Sequence, residues 1–519
     1  MSHPIRPAHR RALVLSIGLA LAGLFHTEPA RCADPNPRHK KAESRPTEQW
    51  QVIYLGKDRI GYSRITEAQR RVEGRTLVMT ENEMRMTVKR FGQELKMTTL
   101  LETTETLRGD LLSFTFEMQN PPAGSLTMTG SVDESRTDPG TRLLVLETST
   151  AGRKREQRIP IRAGVKSPAY IDRYVRNRPM KAGEVRTLDT FLPELGKTST
   201  VRLTASGMAS VKMLDGERVD LLKVRIEQSA LPTMPVVAYL DDTGKTRRTD
   251  TPFLATAMST YAVSKEEALK AIAGAELDIA VNSLIHVKKP LRRGHRTSKA
   301  VYRISTPGED PTDYLVADGA QQIEPVDDET VLLTVSSLPM PGGYKKVGID
   351  AEFLQSSQYL QADDFRVRQH AKRAAGGELN PARAAVRLER YVSQKLTQKN
   401  FSTALASAAE VAQSLEGDCT EHAVLLAAML RASKIPSQVA VGLVYIESRS
   451  SFGGHMWTEA WIDGQWIPLD ATLGRGGIGA AHIKLAQSSF SDEGAAPVTA
   501  FLPLLRVLGS MQIEVVSAE

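Results

Sequence analysis

The sequence predicts an α+β protein in which β-rich antiparallel domains precede a C-terminal core built from one buried helix packed on an antiparallel sheet. Three observations carry this expectation. Short runs rich in β-branched and aromatic residues alternate apolar and polar positions from about 46 to 260. From 357 the texture turns helical. Near residue 416 an apolar helix is followed at once by an apolar strand and a hairpin. At 519 residues the chain is long enough for two or three cores.

The first residues have a separate logic. "MSHPIRPAHRR" is basic, and "ALVLSIGLALAGLF" (12–25) is uncharged but too short to cross a bilayer as a helix. Residues 1–32 are therefore expected to be a signal peptide cut after Cys32, with Ala30 and Cys32 as the small residues before the bond. Pro29 stands where a lipoprotein signal would carry leucine, which argues against lipidation. Residues 33–48 are polar and read as a disordered tether. The expected location is periplasmic or secreted.

Removing 1–32 lowers the net charge from +7 to +4, because Arg6, Arg10, Arg11 and Arg31 leave with Glu28. The remaining charges are interspersed, which argues against a nucleic-acid partner. No later segment has the roughly 18 consecutive apolar residues of a membrane span. Of two cysteines only Cys419 would remain, so no internal disulfide could form.

Residues 49–262 form the β-rich region. Runs such as "WQVIYLGKDRIGYSRITEA", "ELKMTTLLETTETL" and "STVRLTASGMASVKML" suggest a meander curled into a one-sided sheet or partial barrel. Residues 263–356 follow as a connector helix over 264–281, capped by Ser264, and a small β module of "KAVYRIST" (299–306) and "TVLLTVSSL" (330–338) closed by the turn 339–344. In the last region, 357–519, "LNPARAAVRLERYVSQKL" places Ala384, Val386, Leu388, Tyr391, Val392 and Leu396 on one side of a helix.

"EGDCTEHAVLLAAMLRASKIP" starts a helix after Gly417, with Asp418 as N-cap and Glu421 three residues on, a capping-box pattern. Cys419 falls in its first turn, where the amide hydrogens and the helix dipole favour a thiolate. Eight apolar residues, Ala423 to Leu430, predict burial on nearly every side. "SQVAVGLVYI" (437–446) is a central strand, and Asp463-Gly464 in "GGHMWTEAWIDGQWIPLDAT" is a hairpin turn. With that turn, Trp461 faces Trp466, Glu459 faces Pro468 and Trp457 faces Asp470, which makes His455 the diagonal neighbour of Asp470.

A cysteine at a helix start with a histidine and an acid adjoining on a hairpin has the parts of thiol catalysis: Cys419 attacks a carbonyl, His455 takes and returns the proton, and Asp470 orients the ring. "GDCTEHAVLLAAMLRASKIPSQVAVGLVY" and "GHMWTEAWIDGQWIPLDAT" resemble the cysteine helix and the histidine and aspartate strands of the transglutaminase-like superfamily, whose core is papain-like. The resemblance spans roughly 380–485. It implies a cysteine protease, amidase or transamidase acting on amide bonds of a peptide or protein substrate, cell-envelope material included, through an acyl-enzyme. No cofactor and no metal-ligating residue is expected in that site, and calcium dependence is left open. Because some members have lost activity, a binding or assembly protein of the envelope is the alternative.

Several neighbours have two readings. The amide of Cys419 is a natural oxyanion donor, and Gln413 is either a second donor or a solvated helix residue. Asn400 and Phe401 are candidates for the cleft, and Trp457 either covers the site or packs beneath it. Cys419 and His422 on one helical face, with His455 and Asp470, would make a zinc set as the competing arrangement.

Overall fold

The structure is a computed structural model and describes residues 46–121, 124–133, 140–150, 152–232, 234–254, 256–271, 278–342, 347–401, 405–493 and 497–519. The expected signal peptide and all but the last three residues of the expected tether lie outside the described residues. Its first strand, Thr47–Leu55, starts two residues earlier than the β-rich region was expected to begin.

That strand is the seam of a 14-stranded antiparallel sheet. It pairs on one side with Asp58–Val72 and on the other with Thr256–Val263, so the first and last strands of the region are neighbours. From this seam one meander runs out to Arg153–Arg162 and the other to Val185–Leu192. Lys166 then bridges Asp110 and Thr190 through backbone pairing, with Phe191 N donating to Lys166 O at 3.2 Å. The sheet is thereby curled on itself, as its one-sided alternation requires. In Gln93–Thr106 the buried positions Leu95, Met97, Thr99, Leu101, Thr103 and Glu105 alternate with more exposed ones.

The connector differs from the expected helix over 264–281. Ser264 does cap a helix, accepting from Glu267 N, but that helix is only Lys265–Ala268, and a separate turn, Ile279–Asn282, is capped by Asp278. The small β module pairs Lys299–Ser305 with Thr330–Ser336, as its pattern suggests, and adds Gln321–Asp327. The last strand of the chain, Gln512–Ala518, pairs with the other edge of Lys299–Ser305 and ties the C-terminus to this module.

In the C-terminal region Cys419–Ala432 is the hub. Helices Phe365–Ala375, Pro381–Lys395 and Ala408–Ser414 pack around it on one side and the sheet strands Ser437–Ile446 and Ser451–Ile462 on the other. Val424 to Leu430 have no exposure, so the all-apolar run is satisfied only at the centre of a layered core. Lys434, at φ 63, turns the chain out of the helix, and Ile435 N returns to Leu430 O at 2.9 Å. Arg431 is buried and anchors the helix end by donating to the carbonyls of Gln355, Ser437 and Ser489.

Sheet order here is Ile285–His286, Ser451–Ile462, Ser437–Ile446, His482–Ser488, with Gln465–Leu469 also on Ser451–Ile462. Truncating Leu426, at 0 % exposure, removes contacts no neighbour can replace. Leu426→Ala is expected to destabilise the C-terminal region by about 2–5 kcal/mol, read from the shift of its urea transition.

Candidate active site

Cys419 occupies the first position of its helix because the residues before it fix the start. Asp418 caps it, accepting from Thr420 N at 2.8 Å, and Glu421 reaches back to accept from Asp418 N at 2.9 Å. Gly417 sits at φ 145, and a Cβ there would lie 2.3 Å from Glu421 Cβ, so the reciprocal cap demands glycine. Cys419 is half-buried and its sulfur is free of any disulfide.

The hairpin delivers the other two residues. Asp463 and Gly464 both have positive φ (54 and 82), the turn that matches strand twist. The ladder pairs Trp461 with Trp466, Glu459 with Pro468 and Thr458 with Leu469, the expected register. It stops there, so Asp470 lies one residue past the strand rather than opposite Trp457. From that position Asp470 Oδ2 accepts from His455 Nε2 at 2.9 Å. Its Oδ1 accepts from Thr472 N at 2.8 Å.

His482, which the sequence reading did not single out, donates Nε2–H to the same Asp470 Oδ2 at 3.1 Å. His455 and His482 stand on the two strands that flank Ser437–Ile446, paired with Gly442 and Val444 respectively. Asp470 is therefore held by two imidazoles from opposite sides of one strand. With Nε2 engaged, His455 presents Nδ1 toward Cys419. Trp457 is buried beneath, its ring 5.3 Å from His482 and 6.3 Å from His455, and does not line the cavity, so it packs rather than covers.

Electrostatics follow from this arrangement. Burial alone would pull His455 down, but the charges of Asp470 and Cys419 and hydrogen bonding with both hold it up at about 10. Asp470, although desolvated, is held well below the usual carboxylate range by His455 and His482. His482 moves the other way, since burial outweighs its carboxylate partner. One histidine of the pair favours the charged form and the other the neutral form.

The other candidates divide clearly. Phe401, Asp418, Cys419, His455 and Asp470 line a single cavity of about 820 Å³. Gln413 is exposed on Ala408–Ser414 and is no part of that cavity. Asn400, half-buried, is likewise no part of the lining. The competing zinc set is not assembled: His422 donates Nδ1–H to Asp418 O at 2.6 Å, faces Lys399, and is pushed down to about 4 by burial and that lysine. His455, Asp470 and His482 do bring ligand atoms within 4.8 Å of one another, at hydrogen-bond distances of 2.9 and 3.1 Å. Metal bonds would be about 2.0–2.2 Å.

Two supports come from distant sequence. Glu389, fully buried on Pro381–Lys395, accepts from the backbone N–H groups of Asp470 (3.1 Å), Gly476 and Gly477 and so fixes the loop that carries Asp470; burial pushes its carboxyl up to about 7. A carboxylate between Ala385 and Val392 on an otherwise apolar stripe was its signal. Arg90, at the end of Arg75–Arg90 in the β-rich region, reaches Asp418 Oδ2 with Nη2 at 2.5 Å. Burial opposes its charge, and Asp418, Cys419 and Glu421 more than offset that and keep it raised.

The hairpin tip after Arg90 is anchored on both flanks. Phe91 N and Gly92 N donate to the carboxylate of Asp278, Phe401 N donates to Gln93 Oε1 at 2.7 Å, and the Phe91 and Phe401 rings lie 5.0 Å apart. No local pattern in "KRFGQE" connects it to a helix hundreds of residues later.

The family model described as the transglutaminase-like superfamily matches residues 368–471. This segment is transglutaminase-like. The match takes in about a fifth of the chain, including Cys419, His455 and Asp470, and leaves the large sheet outside it. Similar solved structures include a "Putative Cysteine Protease" from Cytophaga hutchinsonii (17 % identity, TM-score 0.29, 43 % of this chain and 88 % of that chain). Others are a β-barrel-like protein of a domain of unknown function from Brucella abortus (12 %, 0.30, 42 % and 96 %) and a "Putative Protease" from Parabacteroides distasonis (12 %, 0.20, 69 % and 64 %). No curated protein matches the chain.

Two predictions follow from the charges. Removing Arg90 leaves the Asp418 carboxylate, 2 % exposed, without its counter-charge. Arg90→Ala should cost about 3–5 kcal/mol in denaturant unfolding, and Arg90→Ala with Asp418→Asn should recover part of it. His455 is raised from 6.5 to about 10, so its stabilisation is full below pH 6.5 and disappears as pH rises through about 10. Asp470 is depressed, so its share is present above 3.8 and is lost as pH falls below that. The stability gap between wild type and His455→Ala should therefore be widest at about pH 6 and narrow as pH rises to about 11, measured by urea titration.

Proposed function

We propose that this chain is an exported cysteine-dependent enzyme that acts on amide bonds of peptides or proteins through a thioester. One observation carries the reading: Asp470 holds His455 by Nε2 at 2.9 Å while His455 and Cys419 line the same cavity. Export rests on the signal-like segment 1–32.

In the proposed cycle the ring of His455, held in its charged form, carries the proton of Cys419 on Nδ1, and the sulfur bonds to the substrate carbonyl carbon. The carbonyl oxygen gathers negative charge near the first-turn amide of Cys419, and the dipole of the helix favours that charge. The carbon–nitrogen bond then breaks, and the departing amine takes the proton from His455. Water, deprotonated by His455 Nδ1, attacks the thioester; the carbon–sulfur bond breaks, the acid leaves, and the proton held by His455 beside the released sulfur restores the starting state. Asp470, fixed by His482, Thr472 and the Glu389-bound loop, keeps the ring oriented throughout. If an amine reaches the thioester instead of water, the same machinery transfers the acyl group.

The test is to compare wild type and Cys419→Ala on envelope peptides, with and without added amine, by mass spectrometry of the products. Hydrolysis predicts release of acid without amine incorporation and at least about a thousandfold loss in Cys419→Ala. Equal turnover by the variant, or an unreactive thiol with no turnover by wild type, would overturn the reading in favour of a binding protein.

A further inference from the structure

The cavity that reaches Cys419 does not end at the transglutaminase-like region. Its far wall is the inner face of the large sheet, where Met97, Phe116, Met118, Leu126, Met128 and Leu146 line it. These positions share one face. Phe116 pairs with Met128 and Met118 with Leu126 across adjacent strands, so they form parallel apolar rows. The near wall is closed by Leu504 and Leu508 in and after helix Leu502–Val507.

A void of about 820 Å³ is not a packing flaw, because protein interiors leave few spaces larger than a water molecule. Its size is that of a ligand site, and ligand sites are apolar with a few convergent polar groups. Here those groups are Cys419, His455 and Asp470 at one part of the wall, with Arg90 beside them. Three methionines in the opposite wall suit a flexible occupant, since an unbranched thioether side chain adapts to irregular apolar partners. Charged residues including Arg155, Lys399, Glu410 and Asp492 also line the cavity, and so does Glu194. It is 3 % exposed, its carboxylate oxygens find no partner on another residue, and burial pushes it up to about 7, so it can stand in an apolar wall as a neutral acid.

We propose that the β-rich region supplies the binding site for a long apolar chain on the substrate, so that the amide presented to Cys419 belongs to an acylated or otherwise lipid-like molecule. This rests on the thioester reading above and specifies what the thiol meets. The scissile carbonyl lies at Cys419 while the chain runs between the sheet rows and Leu504 and Leu508. A peptide without such a chain leaves that apolar wall unfilled.

The test uses fluorogenic amides that share one leaving group and differ only in acyl chain, from acetyl through octanoyl to hexadecanoyl, with a second series that carries the chain on the amine side. Each buried methylene is worth about 0.8 kcal/mol, so kcat/KM should rise several-fold per added methylene until the cavity is filled. A rise in the first series places the chain on the acyl side of the bond, and a rise in the second places it on the amine side. The ratio of hexadecanoyl to acetyl kcat/KM should fall at least tenfold in Met118→Arg and in Leu126→Arg. That ratio is insensitive to the fraction of folded protein.

The same acyl amides are titrated against Cys419→Ala by calorimetry, which reads the cavity without turnover. Affinity that tightens with chain length there supports the proposal even if no substrate is cleaved, in which case only the thioester reading has failed. Affinity and kcat/KM flat with chain length in both series, or unchanged by Met118→Arg and Leu126→Arg, overturn it.

Discussion

The organisation of the C-terminal region depends on one buried carboxylate. Asp470 Oδ2 accepts from His455 at 2.9 Å and from His482 at 3.1 Å, and the residue is 1 % exposed. A carboxylate so deeply desolvated is tolerable only when its lone pairs are filled by donors. Filling them fixes both rings as Nε2–H donors, and that in turn fixes which nitrogen of His455 faces the thiol. The loop bearing Asp470 is held by Glu389 and the two strands bearing the histidines share a neighbour, so a change in any of them would move the ring.

A second constraint links the two halves of the molecule. Asp418 is at once the cap of the cysteine helix and the ion-pair partner of Arg90. The hairpin that carries Arg90 is in turn pinned by Asp278 and Phe401. The start of the helix is therefore set partly by the large sheet, and the cavity has walls from both. The transglutaminase-like match covers only one of those walls.

Much of the site could be read in the chain because its parts are local. Asp418 and Glu421 are three residues apart, so the cap is a pattern; Asp463-Gly464 fixes the hairpin register to Thr458 and Leu469; and alternation puts His455 on the aspartate's side. What could not be read is what sequence distance hides. Arg90 and His482 reach the site through tertiary pairing, and a histidine opening a short strand has no local mark. The connector was over-read as one helix because apolar spacing over 264–281 fits a helix period, whereas the described residues end the first helix at Ala268. The strand Gln512–Ala518 joins a module more than two hundred residues earlier, which no short window reports.

The most direct test of the account is the rate of Cys419 alkylation by iodoacetamide near neutral pH in wild type and Asp470→Asn, followed by intact mass with thermal melts as the folding check. If the carboxylate aligns His455 against the sulfur, the variant should remain folded and label at least about tenfold more slowly. Equal rates in two folded proteins would contradict the coupling of these three side chains.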